Sequence, residues 1–194
     1  MERKSVKHLA QINKGSIPDN IWETPIDSRF EQNAHPMHTF TDTCKQLGLD
    51  PKIDVCAESS NAKCEKFFTP EQNGLTQAWD QDFFGNFPYS EVGTWVEKAF
   101  VEWFNYNVNG LILCFSKTDT KWWHKFVEGK AEVYFVEKRI NFWKDGKIPL
   151  ITTKKNPKPH YCPAPYPSCW LVYRKREKSA KEMFSEIMEN KRKI

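Results

Sequence analysis

The run Gly110-Leu111-Ile112-Leu113-Cys114-Phe115 is apolar without interruption, and it does most to limit the fold. Six such residues without alternation describe a strand covered on both faces, as in a sheet layered between helices. Just before it, Val92, Trp95, Val96, Ala99, Phe100 and Trp103 recur at helical spacing. They predict an amphipathic helix of about three turns. A helix leading into a doubly buried strand is the crossover unit of a parallel sheet.

Other segments fit that frame. Thr39-Phe40-Thr41-Asp42 with Cys44 and Leu47 predicts a short helix stopped by Gly48. Short strands are expected at 52–57, 66–69 (stopped by Pro70) and 82–85. Thr120–Glu128 reads as a helix, and 131–136, 139–142 and 169–173 as later strands. Residues 1–20 form a loose polar arm, 21–175 the main domain, and the chain from Glu177 a polar helix with Met183, Phe184, Ile187 and Met188 on one side; 176–194 is set apart as that C-terminal element. The expected class is α/β, a single domain whose sheet is mostly parallel with helices on both faces. In such sheets ligands sit beyond the carboxyl ends of the strands, which places Asp54–Ala57 and Asn86–Tyr89 on one rim.

Charge is concentrated. Residues 138–160 hold Lys138, Arg139, Lys144, Lys147, Lys154, Lys155 and Lys158 against one acidic residue, Asp145, an excess larger than the +4 of the whole chain. A basic segment in a nearly neutral remainder is an electrostatic footprint for a polyanion, or a solvated lysine-rich loop. The proline-rich stretch 156–167 marks the region as an insertion.

No apolar run approaches the roughly 20 residues that span a bilayer, and MERKSVKHLA has no signal-peptide core; a cytoplasmic protein without membrane contact is expected. The six cysteines include no C-x-x-C pair and read as reduced, mostly buried thiols. His160-Tyr161-Cys162 lacks evident companions for a tetrahedral site, so no metal is assigned. Eight Trp and fourteen Phe supply a ring-rich core and rings that can stack on a planar ligand.

Asn86-Phe87-Pro88-Tyr89 carries the chemistry. An exocyclic amine on an aromatic base is a poor nucleophile because its lone pair is delocalised. Methylating it calls for two acceptors that hold its N–H groups and turn the lone pair toward the donor. The Asn86 carbonyl can be one. The backbone carbonyl of Phe87 can be the other, aimed because Pro88 holds residue 87 extended. Tyr89 can stack on a base flipped from the duplex. The same four residues would also serve as a strand-to-helix turn in which Pro88 and Tyr89 merely pack.

The surrounding string separates these readings. Trp22-Glu23-Thr24-Pro25, Ile53-Asp54-Val55-Cys56-Ala57, Asn61-Ala62-Lys63-Cys64, Phe67-Phe68-Thr69-Pro70-Glu71, Gly74-Leu75, Trp79 and Asn86-Phe87-Pro88-Tyr89-Ser90 occur in that order. Trp95–Ala99, Thr118–Trp122 and Arg139–Phe142 follow. Over about residues 21–173 the chain resembles the phage-type DNA N6-adenine methyltransferases, the small Dam-like family. The resemblance implies a Rossmann-like fold dependent on S-adenosylmethionine, double-stranded DNA as partner, and a phage role in evading host restriction. It places the methionine end of the cofactor at Asp54, Val55, Cys56 and Ala57, with Trp22, Thr24 and Pro25 closing over it. Asn86, Phe87, Pro88 and Tyr89 match the catalytic Asn/Asp-Pro-Pro-Tyr motif.

Two departures stand out: Phe87 replaces the first proline of the motif, and Ala78 replaces an acidic residue before Trp79. Only about thirty residues separate Asp54 from Asn86, so a DNA-reading element must follow the catalytic motif, and residues 138–168 are the available segment. Its lysines would make phosphate contacts that position without specifying. Methylation of cytosine N4 or of a protein glutamine through the same clamp remains open, as does a DNA-binding protein that has lost the chemistry. Cytosine-C5 chemistry fits poorly, because Cys162 precedes Pro163 rather than following a proline.

Overall fold

The computed structural model describes Met37 and residues 39–140, 150–151, 160–161 and 164–177. Helix α1 (Phe40–Leu47) begins at Thr39, whose hydroxyl accepts the Asp42 N–H, and ends at Gly48 in the left-handed conformation, φ 61°. Then come β1 (Ile53–Asp54), β2 (Lys66–Phe67), a 3-10 turn (Gly74–Thr76), β3 (Phe83–Asn86), α2 (Val92–Tyr106) and β4 (Gly110–Phe115). A π-helical turn (Trp123–Val127), β5 (Glu132–Phe135), β6 (Leu150–Ile151), β7 (His160–Tyr161) and β8 (Ser168–Tyr173) follow. No helix among the described residues is long and apolar enough to cross a membrane.

Six strands form one sheet in the order β2-β1-β3-β4-β8-β5. The first four run parallel. β8 runs against both of its neighbours, so the expectation of a mostly parallel sheet holds on one side only. β3 reaches β4 through α2, a crossover that permits parallel pairing, whereas β5 and β8 are adjacent in the sheet and run in opposite directions, Glu132 opposite Val172 and Phe135 opposite Cys169. Between β5 and β8 in the chain, β6 and β7 form a separate two-stranded ladder, Leu150 opposite Tyr161 and Ile151 opposite His160.

β4 is buried at all six positions, and its alternating side chains feed two cores. On one face Ile112 and Cys114 pack with Phe83, Phe87, Trp95, Val96, Ala99, Phe126 and Val127, under α2 and the π-turn. On the other, Leu111, Leu113 and Phe115 pack with Phe84, Trp170 and Val172, under α1. Helical elements therefore cover both faces.

Some expectations are revised. α2 spans 15 residues rather than about three turns. The helix expected over 120–128 widens to a π-turn closed by Glu128 N–H to the Trp123 carbonyl, which brings Trp123, Phe126 and Val127 to the core together. Arg139 and Ile140 belong to no strand; instead the Ala164 N–H bonds the Ile140 carbonyl, tying together the two ends of the segment between β5 and β8. Asn141 and Phe142, the arm at 1–20 and the helix expected beyond residue 177 lie outside the described residues. The described cysteines, Cys44, Cys56, Cys64, Cys114 and Cys169, are free thiols.

Candidate active site at the carboxyl rim of the sheet

Parallel pairing of β1 with β3, Asp54 opposite Phe84, brings the loops after both strands to the same rim. After β1, Asp54 is buried and organises its own loop. One carboxylate oxygen accepts the Cys56 N–H at 3.2 Å, the other the Lys63 N–H at 3.0 Å. Burial outweighs these bonds and pushes its carboxyl up to about 6. Burial also pushes the Cys56 thiol up, leaving it a neutral wall group rather than a thiolate.

Val55, Cys56 and Ala57 line a shallow, open cleft together with Phe68, Thr69, Pro70, Gly74 and Trp95. Gly74 has to be glycine here, because a Cβ would meet the Val55 carbonyl oxygen at 2.1 Å. Trp95 Nε1 is buried and has no hydrogen-bond partner among the described residues. Asp54 is not in that wall; its part is to shape the loop that supplies it.

Behind Gly74 lies a polar network unforeseen from the residue pattern. Trp79 Nε1 donates to the Gly74 carbonyl at 2.9 Å, and the Trp79 amide donates to Glu102 at 2.8 Å. The other Glu102 oxygen accepts from Lys98 at 2.7 Å, an ion pair whose residues are 3% and 4% exposed. Its signal was a charged pair four residues apart on the apolar stripe of α2, where a solvated face would not carry it.

The motif after β3 divides between the two faces of the sheet. Asn86 follows Phe84 at a spacing of two, and Tyr89 joins the same core. Asn86 is 8% exposed, and its side-chain oxygen accepts a long 3.4 Å hydrogen bond from the Tyr89 hydroxyl. Burial pushes that hydroxyl well above its ordinary range, so it remains a donor. Tyr89 stacks on Phe115, ring centroids 3.7 Å apart and planes within 11°.

Phe87 turns to the opposite core. Its ring lies against Trp95 and Trp79, at 4.9 and 6.3 Å between centroids. It folds back over Gly85, where a Cβ would stand 2.2 Å from the Phe87 ring edge. The aromatic side chain at this position therefore serves packing.

Of the basic residues singled out, Lys138 and Arg139 are exposed at the start of the segment between β5 and β8. Arg139 makes a long 3.5 Å bond to the Ala164 carbonyl. Lys144, Lys147, Lys154, Lys155 and Lys158, like Trp22, Thr24 and Pro25, lie outside the described residues.

A sequence model of the family described as DNA N-6-adenine-methyltransferase (Dam) matches residues 22–188. The chain is also similar to the DNA N-6-adenine-methyltransferase of Haemophilus phage HP1 (strain HP1c1), 35% identical over 111 residues that cover 56% of this chain. The matched stretch covers 64% of the phage protein, less than two thirds of that relative's length.

Proposed function

The chain belongs to the DNA N-6-adenine-methyltransferase (Dam) family, and from that premise we propose that it transfers a methyl group from S-adenosylmethionine to the N6 amino group of adenine in double-stranded DNA. The observation that carries this reading is the placing of Asn86 and the Val55–Ala57 cleft on one rim, at the ends of paired parallel strands. The sheet with its single reversed strand is read as Rossmann-like.

In the chemistry of its lining the cleft fits part of such a cofactor. It is lined by apolar side chains and backbone, and it includes an indole whose buried N–H lacks a partner. Val55, Cys56, Ala57 and Trp95 would hold one end, on the loop that Asp54 shapes, with Trp22, Thr24 and Pro25 closing over it. S-adenosylmethionine, when bound, supplies an electrophilic methyl group.

The chain supplies positioning. The Asn86 carbonyl and the backbone carbonyl of Phe87 accept the two N–H groups of an extruded adenine, so the amine lone pair faces the cleft. Pro88 keeps residue 87 extended. Phe115 backs one face of Tyr89, and the base stacks on the other. The amine becomes acidic as the methyl group arrives, and its proton leaves to solvent. Lys138, Arg139, Lys144, Lys147, Lys154, Lys155 and Lys158 contact phosphates from the segment between β5 and β8. Because Phe87 has a packing role against Trp95, its departure from proline is no sign of lost chemistry.

The test is incubation with radiolabelled S-adenosylmethionine and unmethylated DNA, followed by digestion to nucleosides. Label is expected in N6-methyldeoxyadenosine. Label in N4-methylcytosine instead would move the target base, and DNA that stays unlabelled would remove the activity.

A further inference from the structure

Among the described residues three large apolar side chains are exposed: Tyr106, Phe135 and Tyr166. Tyr166, 51% exposed, lies on the carboxyl rim, two residues before β8. The pairing of Phe115 with Ser168 brings the start of β8 beside the end of β4. The Tyr166 ring stands 5.5 Å from Phe115, which in turn stacks on Tyr89 at 3.7 Å. Three rings thus run from the motif outward to solvent. Over the outermost ring sits the Lys117 ammonium, 4.8 Å from its centroid.

Each part of this arrangement has a physical meaning. A tyrosine half in water forgoes much of its burial energy, so packing alone is a weak reason for its place. A ring held at a fixed distance from an aromatic neighbour is a preorganised stacking platform. An ammonium resting on that ring is held by a weak cation–π attraction, which a phosphate can outbid. Lys117 follows β4 by two residues, and its amide bonds the Phe115 carbonyl at 2.8 Å. Its backbone is therefore fixed while its side chain can change partner.

We infer that Tyr166 and Lys117 form a positioning site for the DNA strand beside the extruded adenine. A neighbouring base stacks on the Tyr166 ring, displacing the Lys117 ammonium, which moves to a flanking phosphate. The inference rests on the proposed DNA-methylating function and adds to it the place where the substrate strand is held next to the clamp.

Methyl transfer to unmethylated bacterial DNA, with both substrates varied, tests it in wild type, Tyr166→Leu, Tyr166→Phe and Lys117→Gln. Leucine keeps apolar cover on Phe115 but cannot stack a base, so Tyr166→Leu is expected to raise KM for DNA about ten- to a hundredfold. Its kcat and its KM for S-adenosylmethionine should stay near wild type, and Tyr166→Phe should behave as wild type. Lys117→Gln should reduce the salt dependence of DNA binding by about one phosphate contact. Ultraviolet cross-linking to duplexes containing 5-iodouracil should label the peptide that holds Tyr166. Unchanged KM for DNA in Tyr166→Leu, or cross-links that all lie elsewhere, would overturn the inference. Were Tyr166→Leu to lose thermal stability, the cross-linked peptide of the wild-type chain and the salt slope of Lys117→Gln would decide instead. A wild-type chain that labels no DNA would refute the proposed function, whereas methylation unaffected by Tyr166→Leu would refute this inference alone.

Discussion

The indole of Trp95 lies nearly parallel to the ring of Phe87, 4.9 Å between centroids and 18° between planes, while it also walls the cleft after β1. One side chain thus separates the cofactor candidate from the motif candidate. Phe87→Ala is expected to destabilise the fold by about 3–5 kcal/mol, the range for a large buried ring. Phe87→Pro should lose a comparable amount, with any gain from a stiffer loop hidden by the cavity. Denaturant unfolding and cofactor calorimetry on the same preparations would check this; a stable Phe87→Pro protein would contradict the stack's importance.

Asn86→Ala should lower kcat by at least about a hundredfold, as expected when a group that positions the reacting centre is removed. Cofactor affinity should stay close to wild type, since Asn86 is not in the cleft wall. Wild-type turnover in this variant would rule out the clamp.

Asp54 gives a pH signature. Its folded carboxyl is pushed up to about 6 from an ordinary 3.8, chiefly by burial. The folded state then binds the proton more tightly than the unfolded one. Stability contributed by this group is full below pH 4 and falls through the window from about 4 to 6, by roughly 3 kcal/mol. Asp54→Asn should remove that fall, so the wild-type minus variant difference should decline across the window and then level off. A flat difference in urea midpoints between pH 4 and 7 would contradict it. The same substitution should weaken S-adenosylmethionine binding, through the loop and not through a lost direct contact.

Lys98→Met leaves Glu102 charged and buried, and is expected to lose about 3–5 kcal/mol. Adding Glu102→Gln should restore much of that, because the amide oxygen still accepts the Trp79 N–H without a buried charge. A double-mutant cycle in urea measures the coupling. Additive losses would show that the pair does not act as a unit.

For the segment between β5 and β8, the logarithm of DNA affinity should fall linearly with that of salt concentration, about −0.9 for each neutralised phosphate. Replacing Lys154 and Lys155 with Ala should flatten the slope by up to about two such contacts and weaken all sequences alike. An unaltered slope would make them solvated-loop residues.

The parts of this design legible in sequence were those with a period. Gly110–Phe115 read as a doubly buried strand and is one; Thr39 and Gly48 marked both ends of α1. The rim shared by Asp54–Ala57 and Asn86–Tyr89 followed from parallel pairing. What stayed hidden depends on contacts distant in sequence. Nothing local to Phe87 says that its ring finds Trp95, or that Gly85 makes room for it. Nothing local to Asp54 distinguishes a ligand from a carboxylate that ties down its own loop through Lys63. The direction of β8 was hidden for the same reason, since hydrophobicity records burial and not orientation.

The chain leaves the sheet at the end of β5 and rejoins it at β8, and these strands are hydrogen-bonded neighbours, the Val136 N–H still bonding the Ser168 carbonyl at 3.0 Å. Its two attachment points are therefore fixed one strand spacing apart, about 5 Å. Val136, Ile140 and Ala164 belong to the core under α1, and the Ala164 N–H bonds the Ile140 carbonyl, so a stretch exchanged between Ile140 and Ala164 keeps those core residues and their tie. Length is no obstacle, because closing a longer loop adds only about 0.6 kcal/mol per doubling. On the proposed function, exchanging residues 141–163 between relatives, inside the Ile140–Ala164 tie, is expected to change the DNA preference while the residues around Asn86 and the cleft are kept.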